Sequence, residues 1–191
     1  MKWVVEYRCY AVQPDCETDE KQGRFRLSMS GLHDVPVSAP KYFRKAYQMK
    51  PRKLGSLHVS EIGLGCMGMD HAYGTPAPRK DMVKLLHRAV ELGCTFFDTA
   101  VVYGTANEEL LGESFSSMRD KVVLATKFGI VGQRIENGKP VNLLDSRPES
   151  IRMQVEGSLN RLKTDYIDLY YQHRTDPTVE PETVADTMST L

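Results

Sequence analysis

Three short apolar runs each carry an ionisable residue towards their C-terminal end: Asp98 in TFFDTA, Lys127 in VVLATKFG and His173 in DLYYQHR. A buried carboxylate needs a cation and a buried ammonium needs an anion, so these side chains ask for one another. Tyr103, in VVYG just past the Asp98 run, adds a phenol. An Asp–Lys pair beside a phenol favours loss of the phenolic proton, which makes the phenol a candidate general acid. An imidazole nearby is a second polar group able to hold an oxygen. Each residue alone has an ordinary explanation: turn capping for Asp98, a solvated strand end for Lys127, a rim position for His173, a bonded loop hydroxyl for Tyr103. Their joint placement is what points to acid–base chemistry.

For the four to meet, the runs must lie side by side with their ends at one edge. Met82, Leu85, Leu86, Ala89 and Val90 repeat at helical spacing in RKDMVKLLHRAVELG, and Gly93 follows where a C-terminal cap belongs. ANEELLGESFSSM reads as a second amphipathic helix with Asn107 as its cap. Ser146 and Glu149 have capping-box spacing before IRMQVEGSLNRLKT, whose Ile151, Val155, Leu159 and Leu162 form one face. PETVADTMSTL opens a fourth helix. These helices alternate with IGLG, TFFDTA, KVVLATKFG and YIDLYYQHR, and the order β-α-β-α-β-α-β-α predicts an α/β fold with a parallel sheet and outer helices. In such a sheet, ligands bind at the C-terminal edge of the strands.

Ahead of the first of these strands, MKPRKLGSLHVSEIGLG predicts a hairpin turning at Gly55-Ser56. Residues 1–48, with mixed charge in DCETDEKQGRFR, prolines at 14, 36 and 40 and no period, are expected to form an irregular or disordered N-terminal extension, with the folded domain over 49–191. Gly63, Gly65 and Gly68 in IGLGCMGM fall at dinucleotide-fingerprint spacing, but Pro76 and Pro78 forbid a helix until about Arg79, so the fingerprint lacks the helix N-terminus that would receive a pyrophosphate. Lys plus Arg balances Asp plus Glu at 25 each, which argues against a nucleic-acid or anionic-membrane partner. Apolar residues make up 41%, enough for a core, and no run reaches the length of a membrane span. Cys9, Cys16, Cys66 and Cys94 share no metal or redox spacing and the start lacks a long apolar h-region, so no metal site and a cytoplasmic location are expected.

FDTAVVYG, ATKFG and YYQH, in this order after IGLGCMGM, resemble the aldo-keto reductases, and LDSRPESIR with GSLNRLKTDYIDLYYQH is similar to their bacterial branch. The resemblance runs from about Met49 to Leu191 and implies a (β/α)8 TIM barrel, of which the chain would hold the first four βα units. It implies an extended NADP(H) cofactor, a small carbonyl substrate, and a catalytic tetrad of Asp98, Tyr103, Lys127 and His173. Cys66, Met67 and Asp98 would lie near the cofactor. Hydride transfer to a carbonyl carbon would be matched by protonation of its oxygen from Tyr103, with Lys127 and Asp98 lowering the phenol's pKa and His173 orienting the carbonyl. A whole barrel takes about 250 residues, so the 191-residue chain is expected to be a truncated form with open edges available for self-association. The alternatives are a non-catalytic cofactor-binding protein resembling the potassium-channel β-subunits, or an inactive fragment.

Overall fold

The structure, a computed structural model, describes residues 49–70 and 74–191. The extension expected over 1–48 lies outside the described residues. Strands β1 (Pro51–Leu54) and β2 (Leu57–Ser60) form the expected antiparallel hairpin, with Leu54 opposite Leu57. Gly55 turns it at φ 63°, a conformation that suits a residue without a Cβ.

The central sheet has four parallel strands in the order β3 (Gly63–Gly65), β4 (Phe96–Asp98), β5 (Val123–Phe128) and β8 (Leu169–Gln172). Helices α1 (Arg79–Glu91), α2 (Thr105–Phe115) and α3 (Pro148–Leu162) make the crossovers, and α4 (Pro181–Met188) follows the last strand. Strand alternation sorts the side chains. Phe97 pairs with Leu124 and Thr126 with Tyr170, and these positions face the helices. Asp98 pairs with Ala125 and Lys127 with Tyr171, and these positions take the opposite, inner face.

The core lies between the helix-facing side of the sheet and α1 and α2. Leu86, Phe97, Leu111 and Leu124 are fully buried there, and the Phe97 and Phe115 rings meet at 4.6 Å between centroids. Helix α2 packs tightly on the end of α3 because residue 112 is glycine: a Cβ there would lie 2.4 Å from the Arg161 carbonyl oxygen. Phe128, Ile151 and Val184 form a second apolar cluster between β5, α3 and α4.

One element was not anticipated, and two local expectations are corrected. The sequence between β5 and α3 forms a second hairpin, β6 (Ile130–Glu136) and β7 (Lys139–Leu144), turning at Asn137-Gly138 with φ 50° and 74°. Asn107 does not cap α2, whose N-cap is Gly104. It is fully buried inside the first turn, accepting from the Thr99 hydroxyl at 2.7 Å and donating to the Cys66 carbonyl at 3.0 Å. The Ser146–Glu149 capping box does not form: Ser146 is buried, its Oγ accepts from Gln172 Nε2 at 2.8 Å, and its backbone N–H donates to Asp176 at 2.9 Å. At the two cap positions, tertiary contacts outweighed a local signal.

Candidate active site

Parallel register fixes the site. Asp98 ends β4 opposite Ala125, Lys127 sits two residues further along β5 on the same face, and His173 immediately follows β8. A one-turn 3-10 helix, Val101–Tyr103, then carries the phenol back over the strand ends, held by a Tyr103 N–H bond to the Ala100 carbonyl at 3.1 Å. The four residues that the sequence singles out are thus brought together at one end of the sheet.

The Lys127 side chain is 7% exposed and makes three bonds. Its ammonium donates to Asp98 Oδ1, to the Thr99 carbonyl at 2.6 Å and to the Tyr103 phenol oxygen at 3.3 Å. Burial pushes the Lys127 pKa below the ordinary lysine value, and the Asp98 carboxylate pushes it back up. The His173 ring stands edge-on to Tyr103, 5.8 Å between centroids at 88°. Burial first, then the charges of Lys127 and Arg174, depress the His173 pKa to about 4, so the imidazole is neutral near pH 7.

Tyr171 belongs to this group and was not singled out from the sequence. Its phenol donates to Asp98 Oδ2, the carboxylate oxygen that Lys127 does not take. The signal was present in YYQH: in a strand paired with β5, residue 171 is the tyrosine that shares the face of Lys127. Thr99 was missed as well, because the site uses its backbone carbonyl, which no side-chain pattern reveals.

Residues 66 and 67 lie at the same edge. Cys66 is fully buried in the core, its thiol donates to the Leu64 carbonyl at 3.5 Å, and burial pushes the thiol's pKa up. Its backbone N–H donates to the Asp98 carbonyl at 2.8 Å, and its thiol feels the charges of Asp98 and Lys127. Met67, half-buried, opens a 3-10 turn that ends at Met69, and α1 begins only at Arg79, so the glycine run is no Rossmann turn. Gly65 pairs with Asp98, and a Cβ at Gly65 would meet nothing within 4 Å. The inner face beside the carboxylate is therefore bare. Among the described residues, no cluster of His, Cys, Asp or Glu could hold a metal ion, and no helix is long and apolar enough to cross a membrane.

The sequence profile of the Aldo/keto reductase family matches residues 61–191. The chain belongs to the aldo/keto reductase family. It is 44% identical over 139 residues to a probable aldo-keto reductase of Glycine max, covering 71% of this chain and 39% of that protein. Among solved structures it is similar to an aldo-keto reductase from Bacillus halodurans in its holo form, with TM-score 0.64, 34% identity and coverage of 75% of this chain and 46% of the other. A glycerol dehydrogenase from Gluconobacter oxydans gives TM-score 0.62 and 29% identity over 77% of this chain and 45% of its own. The chain thus spans less than half the length of each of these relatives. Its parallel strands and outer helices are part of the aldo-keto reductase TIM barrel.

Proposed function

We propose that this chain carries the proton-transfer half of an NADP(H)-dependent carbonyl reductase that converts aldehydes or ketones to alcohols. The observation behind this reading is the bond from the buried Lys127 ammonium to the Tyr103 phenol at the open end of the strands. The residues present fit the reactive end of a nicotinamide cofactor. The inner face is bare at Gly65 beside Asp98, main chain of residues 66 and 67 lines the same edge, and an acid stands within the same cluster. When bound, the cofactor supplies the hydride.

The chain's own residues handle the proton. Tyr103 donates its hydroxyl hydrogen to the oxygen of the carbonyl being reduced, acting as general acid. The phenolate left behind is stabilised by Lys127, which already donates to that oxygen. Asp98 offsets the desolvation of Lys127 and so maintains the positive charge where it is needed. Neutral His173 has one ring N–H to offer the carbonyl oxygen beside Tyr103. Both cysteines among the described residues are buried free thiols, in keeping with a reducing cytoplasm. The outer strands of the parallel sheet, β3 and β8, are the edges through which further strands or a second copy would pair.

A second reading is binding of the cofactor without turnover on the same fold. One experiment separates the two. The chain is joined to the C-terminal portion of the Bacillus halodurans relative, NADPH binding is followed by its fluorescence, and oxidation is followed with a panel of aldehydes and ketones. Carbonyl-dependent oxidation supports the reductase, and saturable binding with no oxidation supports the binding protein. Neither binding nor oxidation contradicts both.

A further inference from the structure

Asp98 is a carboxylate with two different jobs for its oxygens. Oδ1 receives the Lys127 ammonium and Oδ2 receives the Tyr171 phenol. A carboxylate at the end of a strand, with a side chain 25% exposed, can rotate about its last bond and offer either oxygen to the ammonium or to water. A donor fixed on Oδ2 removes that freedom. Tyr171 is well placed to be such a donor, because it lies in β8 directly opposite Lys127 in register and shares its face. The Lys127 ammonium stands 5.2 Å from the centre of the Tyr171 ring and 5.0 Å from that of Tyr103, so the two rings flank one charge.

We propose that Tyr171 is a positioning residue, whose phenol locks the Asp98 carboxylate so that its other oxygen holds Lys127 against the Tyr103 hydroxyl. The proposal rests on the carbonyl-reductase reading, in which Lys127 acts on Tyr103. The charged and titratable groups around Tyr171 are Asp98 from β4, Lys127 from β5 and Tyr103 from the turn between β4 and α2. Cys66 faces Asp98 and Lys127 from the end of β3, and His173 stands beyond Tyr103. Burial and then the Asp98 carboxylate push the Tyr171 pKa upwards, which keeps its proton on the phenol as the bond requires. Loss of the Tyr171 hydroxyl leaves Oδ2 without its donor. The carboxylate then carries more unshared charge and turns more freely, and both changes make it harder for Tyr103 to give up its proton.

The neighbouring residue supplies a control. Tyr170 is the same side chain one step along β8, pointing to the helix side, and its buried hydroxyl has no hydrogen-bond partner among the described residues. Tyr170→Phe removes a hydroxyl from the same strand without touching Asp98.

The test uses the 191-residue chain with its tyrosines labelled at 13Cζ, the Tyr103 signal being identified by its loss in Tyr103→Phe. The pH midpoint of Tyr103 ionisation is read by NMR. Tyr171→Phe is expected to move that midpoint up by about one pH unit, the scale on which one neighbouring polar or charged group acts. Tyr170→Phe is expected to leave it in place. Incorporation of 3-fluorotyrosine at position 171 keeps the ring and makes the hydroxyl a stronger donor, so it is expected to move the midpoint down and serves where Tyr171→Phe does not fold. An unmoved midpoint in these 171 variants, or an equal shift in Tyr170→Phe, overturns the proposal. So does a wild-type Tyr103 that keeps its proton until base unfolds the chain. Turnover enters none of these arms, so failure here leaves the reductase reading standing, and absence of carbonyl-dependent NADPH oxidation in the joined barrel counts against that reading alone.

Discussion

Thr126 and Lys127 are neighbours on β5 whose side chains leave on opposite faces of the sheet, and each serves a buried ion pair. On the helix side, Glu108 is fully buried, and its two oxygens accept from the Thr126 hydroxyl and from Arg161 Nε, both at 2.7 Å. Three elements, α2, β5 and α3, close around that carboxylate. On the inner side Lys127 is nearly as buried, but its partner Asp98 is 25% exposed and the cluster ends in Tyr103 and His173 at the strand tips. Both sets contain a carboxylate, a cation and a hydroxyl. Charge alone therefore does not distinguish the site from the scaffold. Access does: the helix-side carboxylate is enclosed by its own fold, whereas the inner set ends in donors that stand at an open edge.

The comparison can be broken from either side, and the largest effect on stability is expected on the sealed side. Arg161→Ala leaves the Glu108 carboxylate buried without its cation, which is expected to cost about 3–5 kcal/mol of folding free energy, measured by denaturant unfolding. The Lys127–Asp98 side should not respond, so the Tyr103 ionisation midpoint of the folded fraction should stay where it is. A stability loss well under 1 kcal/mol would show that the helix-side pair is not the sealed unit described.

Gly112→Ala acts on the same region through packing. The new Cβ would press on main-chain atoms of Arg161 and Leu162 at 2.4 to 2.8 Å, atoms that cannot swing aside. A cost of about 1–3 kcal/mol is expected in the same unfolding experiment. Stability equal to the parent would mean that α2 and α3 have slack between them.

The open side answers through a pH dependence. The folded-state pKa of His173 is depressed to about 4 from 6.5, so between these values the unfolded chain binds more protons than the folded one. Its contribution to stability is full above about pH 6.5 and is lost as the pH falls towards 4. His173→Gln should flatten that part of the stability profile. Below it, Asp145, held at about 2 mainly by its hydrogen bond from Arg147, should still give a loss in both proteins. An unchanged slope between 4 and 6.5 in the variant would remove His173 as its source.

Much of this arrangement was legible in the sequence, for physical reasons. A strand that is buried on both faces reads as an apolar run, so an ionisable residue at its end stands out, and Asp98, Lys127 and His173 could be picked without coordinates. The spacing of helices and runs gave the parallel order. The barrel itself came from family resemblance, since alternation alone fits several α/β architectures. What was hidden depended on contacts far along the chain. Asn107 and Ser146 look like helix caps because their types suit caps, yet each is bonded inwards to a partner from another element. Tyr171 was masked by His173, two residues away in the same motif. The β6–β7 hairpin was legible and missed: Asn137-Gly138 is a strong turn signal, but the flanking residues alternate weakly because most of the hairpin is exposed.

The central claim is that the inner set does chemistry and that Tyr103 delivers its proton. The most direct test is turnover in the joined barrel carrying Tyr103→Phe, with NADPH affinity and unfolding measured on the same preparation. The variant keeps the ring and removes only the acid. Carbonyl-dependent NADPH oxidation should fall by about 10²–10⁴-fold, the range expected for loss of a general acid, while cofactor affinity and stability stay close to those of the parent. Turnover equal to the parent's would contradict the account.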